Sequence, residues 1–386
     1  MSSHLNYDYV IIGAGAAGLH LAMAFAQDRG FLDKRILILD PDDKQKNDRT
    51  WCFWEEGVGK WDPIVFKKWS NGRYDCKNFG LELDMADYEY KMVRAIDFYQ
   101  FARNIIGMSS NFEWRQDAVE SVKHDGEVRV RCAGGLEIAC GHVFDSRIPT
   151  SFKTQNDGYT RIQQHFLGWM VKTPKPVFDP ASFTMMDTRV VHESTTCFTY
   201  VLPWSPHEAL VEFTLFTPEL INHQDYEAAL RRYMRDVLNV DDYAITDTEY
   251  GVIPMSDFPF QRYHTDYCTM IGTAGGWVKP ATGYSFKNAE RFSRKILQNI
   301  TEGRKPSYRL LSSRHRRYDV LLLDIFNAHN ELGNGIFEQL YAQNEASQIF
   351  SFLDETTTLK EDLQIIASLK PMPFVRALAR QWRKWL

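Results

Sequence analysis

The chain has 386 residues, enough for two domains or one large one, with 44% hydrophobic residues, 25% charged residues and a formal net charge of -5. That balance is ordinary for a globular protein and excludes a dominant electrostatic footprint for nucleic acid. Six scattered cysteines without a C-x-x-C pair, and eleven histidines without an H-E-x-x-H pair, exclude a zinc knuckle or a small disulfide scaffold and leave no metal site in view.

The thiols read as reduced, which places the chain in the cytoplasm. The first strong element is Tyr7–Ile12 (YDYVII), a short β-branched run expected to be a fully buried strand. Gly13-Ala14-Gly15-Ala16-Ala17-Gly18 follows, then an alanine-rich helix to about Gln27 and a second parallel strand, Arg35–Asp40. In this order the glycines have distinct tasks. Gly13 permits the tight turn, Gly15 lets backbone approach a pyrophosphate, and Gly18 lets the helix pack close on the strand. The N–H groups of Ala16 and Ala17 open the helix, where the dipole favours phosphate. Asp40 ends the second strand, where a carboxylate can bond ribose hydroxyls and disfavours the 2′-phosphate of NADP. Residues Tyr9–Ala26 are apolar apart from His20, but no basic leader precedes them and glycines interrupt them. They read as this nucleotide unit and not as a signal peptide or a span, so the protein is expected to be soluble or peripheral.

Residues 41–60 are polar and end in an aromatic cluster, TWCFWEEG. A helix is expected near Ile96–Ile106. Strands are expected at Ser121–Val130 and Leu136–Asp145, joined at Ala133–Gly135, and then at Gln163–Val171, Ser182–Met186, Cys197–Leu202 and Ala209–Leu215. Tyr226–Leu238 has helical periodicity. Tyr267–Gly272 is a further buried strand, followed by Gly272-Thr273-Ala274-Gly275-Gly276, the PATG loop Pro280–Gly283 and a helix from about Tyr284. This second glycine loop offers a place for the isoalloxazine end of FAD, which a plain NAD domain does not need. Thr273 stands where an acid is usual. From Arg314 the chain reads as helical. The expected fold class is α/β: a Rossmann-type FAD-binding domain (1–160 and 245–300), an inserted β-sheet substrate domain (161–244) and a helical C-terminal region (301–386).

Two carboxyls attract notice. Period two puts Val211, Phe213 and Leu215 on one strand face and Leu210, Glu212 and Thr214 on the other. Glu212 therefore faces either solvent or a cavity, where desolvation makes it a general acid. Asp187, after apolar Phe183–Met186, is either a surface turn or the second carboxyl of an acid–base site.

The ordered blocks resemble the FAD-containing lycopene β-cyclases of the bacterial and plant type. The blocks are YDYVIIGAGAAGLHLA; Asn47–Trp54; Gln163–Gly168; Met186-Asp187; Thr199–Pro203 with Leu210–Thr214; Gly251–Met255; Pro280–Ser285; Phe352–Asp354 and Lys370–Leu378. The resemblance implies cyclisation of lycopene or another acyclic carotenoid to β rings, with Glu212 as proton donor and no net redox change. It implies reduced FAD as cofactor and NAD(P)H as reductant. Cofactor contacts are then expected from Gly13, Gly15, Ala16, Ala17, Gly18, Asp40, Arg49, Thr50 and Trp51, and from Gly272, Thr273, Ala274, Gly275, Thr282, Gly283 and Tyr284. Relatives often carry a second acid directly after the glutamate, where this chain has Phe213. Aromatic faces such as Trp51, Phe53 or Trp277 are expected to stabilise a cation. An FAD-dependent monooxygenase or prenyl reductase, and a non-catalytic carrier of apolar molecules, are the competing readings. Because carotenoids reside in bilayers, the segment Met372–Leu386 reads as an interfacial helix, with Phe374, Leu378, Trp382 and Leu386 at helical spacing beside Arg376, Arg380, Arg383 and Lys384.

Overall fold

A computed structural model describes residues 5–154 and 158–385. The strand Leu5–Ile12 lies at the centre of a seven-stranded sheet, parallel to Ile36–Asp40 on one side and to Glu137–Asp145 on the other. Phe112–Gln116 extends this sheet at one edge, and Cys268–Met270 pairs with Glu137–Asp145. The glycine-loop helix Ala16–Gln27 is buried along most of its length and packs on the later helix Phe286–Thr301. Gly18 lets the helix start close against the first strand and its turn: a Cβ there would stand 1.8 Å from the Gly13 carbonyl oxygen.

The run Ser121–Val130, expected as one strand, is a hairpin. Val119–His124 and Val128–Cys132 pair antiparallel, and Gly126 turns between them at φ 74°. Asp125-Gly126 is a short-range hairpin signal that outweighs the strand propensity of its flanks.

A second seven-stranded sheet contains, in spatial order, Ala244–Ser256, Arg161–Lys172, Glu208–Thr217, Cys197–Ser205, Ser182–Asp187, Asn71–Asp75 and Gly80–Leu83. A boundary at 244/245 does not follow this pairing. Ala244–Ser256 is hydrogen-bonded along Arg161–Lys172, and two strands come from before residue 160. Long-range backbone pairing, invisible to local pattern, joins these segments. A small sheet of Thr50–Glu56, Tyr88–Arg94 and Lys67–Trp69 is interleaved in sequence with strands of both large ones.

The second sheet has two different faces. Leu167, Trp169, Val211, Phe213 and Leu215 are buried against Tyr226, Leu230 and Tyr233 of the helix His223–Arg232 and the wide turn after it. Each such side chain contributes about 1.5–3 kcal/mol by leaving water. Flipping the Glu208–Thr217 strand by one residue would expose all of them, so Glu212 is held to the opposite face. The C-terminal region supplies helices Ser313–Ala328, Gly333–Gln343, Ala346–Leu353, Leu359–Ala367 and Pro371–Trp385.

Candidate active site

A single cavity of about 700 Å³ runs from the two glycine loops, over the open face of the second sheet, to the C-terminal helices. Its cofactor end is lined by Gly15, Ala16, Ala17, Gly18, Arg49, Thr50, Trp51, Gly272, Thr273, Thr282, Gly283 and Tyr284, which sequence reasoning grouped from three separate stretches. A Cβ on Gly15 would meet no protein atom within 4 Å, so the loop leaves open space at the helix N-terminus. Four buried polar atoms in the lining have no protein partner: Thr50 Oγ1, Gln164 Oε1, Thr282 Oγ1 and Trp277 Nε1. Unpaired buried donors and acceptors are costly, and together they suit a polar, hydrogen-bonding ring and sugar chain such as FAD carries.

Other expected contacts lie elsewhere. Gly13 forms the turn at φ 96° without lining the cavity. Ala274 is packed in the core under the first sheet, and Gly275 is covered by the Met270 carbonyl. Asp40 is 6% exposed and already engaged: Ala14 N–H donates to Oδ2 at 2.6 Å and Asp42 N–H donates to Oδ1 at 2.8 Å. It braces the glycine loop, so its direct part in ribose recognition is reduced to remaining lone pairs.

Glu212 lines the middle of the cavity. Its strand neighbours in register are Gly168 on one side and Tyr200 on the other. Burial among apolar and aromatic groups, with the nearby Glu249 carboxylate adding repulsion, pushes its carboxyl up to about 8. The Thr214 hydroxyl donates to Glu212 Oε1 at 3.0 Å and opposes that shift. A carboxyl of this kind remains an acid at neutral pH. Around it stand phenols: Tyr200 and Tyr90 are hydrogen-bonded to each other, and Tyr284 lies across the cavity. Trp51 and Trp277 also line the space, whereas Phe53 is stacked on Phe286 in the core, with centroids 5.1 Å apart.

Asp187 does not join Glu212. It is fully buried on the opposite face, where Arg189 Nε donates to Oδ1 at 2.9 Å and the Tyr233 hydroxyl donates to Oδ2 at 2.8 Å. The cause is a β-bulge. Strand pairing shifts between Thr184 and Met186, so Met185 and Met186 both reach the cavity and Asp187 turns away, opposite Thr199. The second carboxyl that this sheet puts on the cavity face is Glu249, which sequence reasoning passed over. It sits two residues before Gly251 of the Gly251–Met255 block, on the same face by period two. Gln164, Tyr90 and Tyr200 were passed over as well. Phe213, at the position where the resemblance raised the expectation of a second acid, faces the helix side, so no side chain at that position reaches the cavity.

Solved structures define the class. The geranylgeranyl bacteriochlorophyll reductase-like protein from Thermoplasma acidophilum superposes with TM-score 0.61 at 13% identity, over 98% of this chain and 100% of that one. The flavin-dependent brominase Bmp2 gives 0.61 at 14% identity, covering 98% and 100%. A mutant of halogenase PltM in complex with FAD gives 0.61 at 14% identity, covering 96% and 85%. The fold is thus that of the Rossmann-type FAD-binding proteins, with a β-sheet insertion and a helical C-terminal region. Within that class the chain belongs to the lycopene cyclase family, whose sequence profile, described as "Lycopene cyclase protein", matches residues 8–379. A lycopene beta-cyclase of Paracoccus sp. (strain N81106 / MBIC 01143) is 22% identical over 296 residues, covering 74% of this chain and 72% of the relative. A chromoplastic capsanthin/capsorubin synthase of Citrus sinensis is 22% identical over 328 residues, covering 78% and 61%.

Proposed function

We propose that this chain is a flavin-dependent carotenoid cyclase that converts the acyclic ψ ends of lycopene, or of a similar carotenoid, to β rings as an intramolecular lyase. The observation that carries this reading is Glu212, a carboxyl held in its acid form inside an aromatic cavity that is continuous with both glycine loops. Gly15–Gly18 and Arg49 would hold the pyrophosphate. Thr50, Gln164 and Thr282 have the unpaired oxygens to meet the remaining polar atoms of FAD. Reduced by NAD(P)H, bound FAD would supply negative charge beside a cationic site without net electron transfer.

The chain's own residues then do the following. Glu212 gives its proton to the terminal alkene, ring closure forms a carbon–carbon bond from the neighbouring double bond and leaves a ring cation, and a C–H proton beside that cation returns to the Glu212 carboxylate, which leaves product and acid both neutral. Met185, Met186 and Leu210 exclude water from the cation, and the Tyr90, Tyr200 and Tyr284 rings present their faces or oxygens to it. A monooxygenase or prenyl reductase would instead consume reductant with every turnover. Expression in a lycopene-accumulating host tests the reading: ringed carotenoids are expected, with reductant not consumed in proportion to product. Unchanged lycopene in cells holding folded, flavin-bound protein would overturn it.

Access for a bilayer substrate is proposed at the C-terminal helices. Among the described residues no helix is long and apolar enough to cross a membrane. The helix Pro371–Trp385 docks through Ala377, which is fully buried, and through Arg380 and Gln381, which both donate to Asp324 at 2.7 Å. Phe374 turns to the cavity and does not join the outer stripe, and Leu386 lies outside the described residues. The exposed stripe is Met372, Val375, Leu378 and Trp382, each at least 40% exposed. We propose that this stripe rests on a membrane surface, keeping the protein peripheral on the cytoplasmic side. Val375→Glu with Trp382→Glu is expected to reduce liposome binding at least tenfold while leaving the circular dichroism spectrum unchanged; equal binding would sink the proposal.

A further inference from the structure

The proposed reaction needs one acid, yet the sheet puts two carboxyls on the cavity face. Gly168, on the strand Arg161–Lys172, pairs with Glu212 on one neighbouring strand and with Glu249 on the other. Residues directly opposite in a ladder point to the same face. The two glutamates therefore flank the one position between them that has no side chain. The space over it is tight: a methyl at Gly168 would meet Leu210 Cδ1 at 2.8 Å and stand 3.5 Å from Glu212 Oε2. Strand spacing puts the two glutamate backbones about 10 Å apart, a span that side chains leaning over Gly168 can narrow.

The two carboxyls have unequal partners. Burial pushes the Glu249 carboxyl up as well, but Thr50, whose N–H donates to Oε1 at 2.9 Å, and then Arg49 pull it back toward its anion, with Asp48 opposing. Glu212 has only the Thr214 hydroxyl on its own strand, with Tyr200 beside it and Cys52 and Tyr284 from the elements packed over the cavity. One proton shared between such groups resides on Glu212. Glu249 stands half-buried on the edge strand, directly after the exposed stretch 244–248.

We propose that Glu249 is the positioning carboxylate of the proton-transfer site: ionised and fixed by the Thr50 amide, it adds like-charge repulsion across Gly168 to the burial that holds Glu212 in the acid form. This rests on the reading of Glu212 as the proton donor. It also places the second acid of the site on the edge strand two positions over in the sheet, where a side chain at Phe213 cannot reach.

Glu249→Gln tests it, because the amide oxygen keeps the bond from Thr50 N–H and only the charge is lost. The alkaline limb of the turnover–pH profile is expected to fall about one pH unit lower than in the parent. Infrared titration of the protonated carboxyl band, assigned by its loss in Glu212→Gln, is expected to move with it. Glu249→Asp keeps the charge and is expected to keep the parental limb. A Glu249→Gln protein with parental limb and parental infrared titration overturns the inference, as does an equal shift in Glu249→Asp. If the parent forms no ringed carotenoid, the function reading fails, while the infrared titration still decides the part played by Glu249.

Discussion

Glu212→Gln is expected to lower cyclisation by about 10²–10⁴-fold, the usual share of a positioned general acid, while the protein remains folded and able to take up flavin. The amide matches the carboxyl in size and still accepts from the Thr214 hydroxyl, so packing is preserved. Near-parental turnover in that variant would remove Glu212 from the acid role. In the parent, turnover is expected to fall as pH rises through about 8, because the acid form is lost there.

The same substitution carries a stability consequence of opposite sign. A carboxyl raised from 4.5 to about 8 in the folded protein is neutral there while the unfolded chain is already ionised. It contributes nothing below pH 4.5, destabilises increasingly between 4.5 and about 8, and levels off above, at about 5 kcal/mol at most. Glu212→Gln is therefore expected to unfold at higher urea than the parent at pH 8, and at equal urea at pH 4. A variant no more stable at pH 8 would mean that the carboxyl is solvated in the cavity. Activity and stability conflict at this residue, as they do where an acid is kept in an apolar site.

Asp187→Ala is expected to destabilise the protein by about 2–4 kcal/mol, because it strands Arg189 and the Tyr233 hydroxyl beside a new gap. The figure is below that of a fully enclosed pair, since the Arg189 side chain retains 40% exposure. Turnover per folded molecule is expected to stay within a few fold of the parent. The two carboxyl variants thus give opposite pairs of results: an inactive but stabilised Glu212→Gln, and an unstable but active Asp187→Ala. A stable, inactive Asp187→Ala would return Asp187 to the chemistry. Urea unfolding and pigment assays on both proteins decide this.

The features legible along the chain are local or depend on the order of its blocks. The strand, glycine turn, helix and second strand of residues 5–40 are legible because each step obeys a short-range rule: β-branched burial, glycine at the turn and close approach, then helical periodicity. The face carrying Val211, Phe213 and Leu215 is equally legible, since period two needs no tertiary information. The late strand–glycine–helix pattern also put Gly272–Gly283 beside the first glycine loop, and Gly272, Thr273, Thr282 and Gly283 do line one cavity with Gly15–Gly18.

Which acids share the cavity face follows from long-range packing and strand pairing. Whether the polar face of the Glu212 strand meets solvent or a cavity depends on the C-terminal helices that roof it. Asp187 left the site through one extra residue in its strand, and a bulge of this kind has no signature in FTMMD. Glu249 entered through pairing with Gly168, eighty-one residues earlier in the chain, and register between distant strands is set by backbone hydrogen bonds and the buried face, not by neighbours in sequence. The C-terminal helix followed the same logic: its periodicity was readable, but docking onto Asp324 decided that Phe374 faces the cavity and Met372 and Val375 face outward.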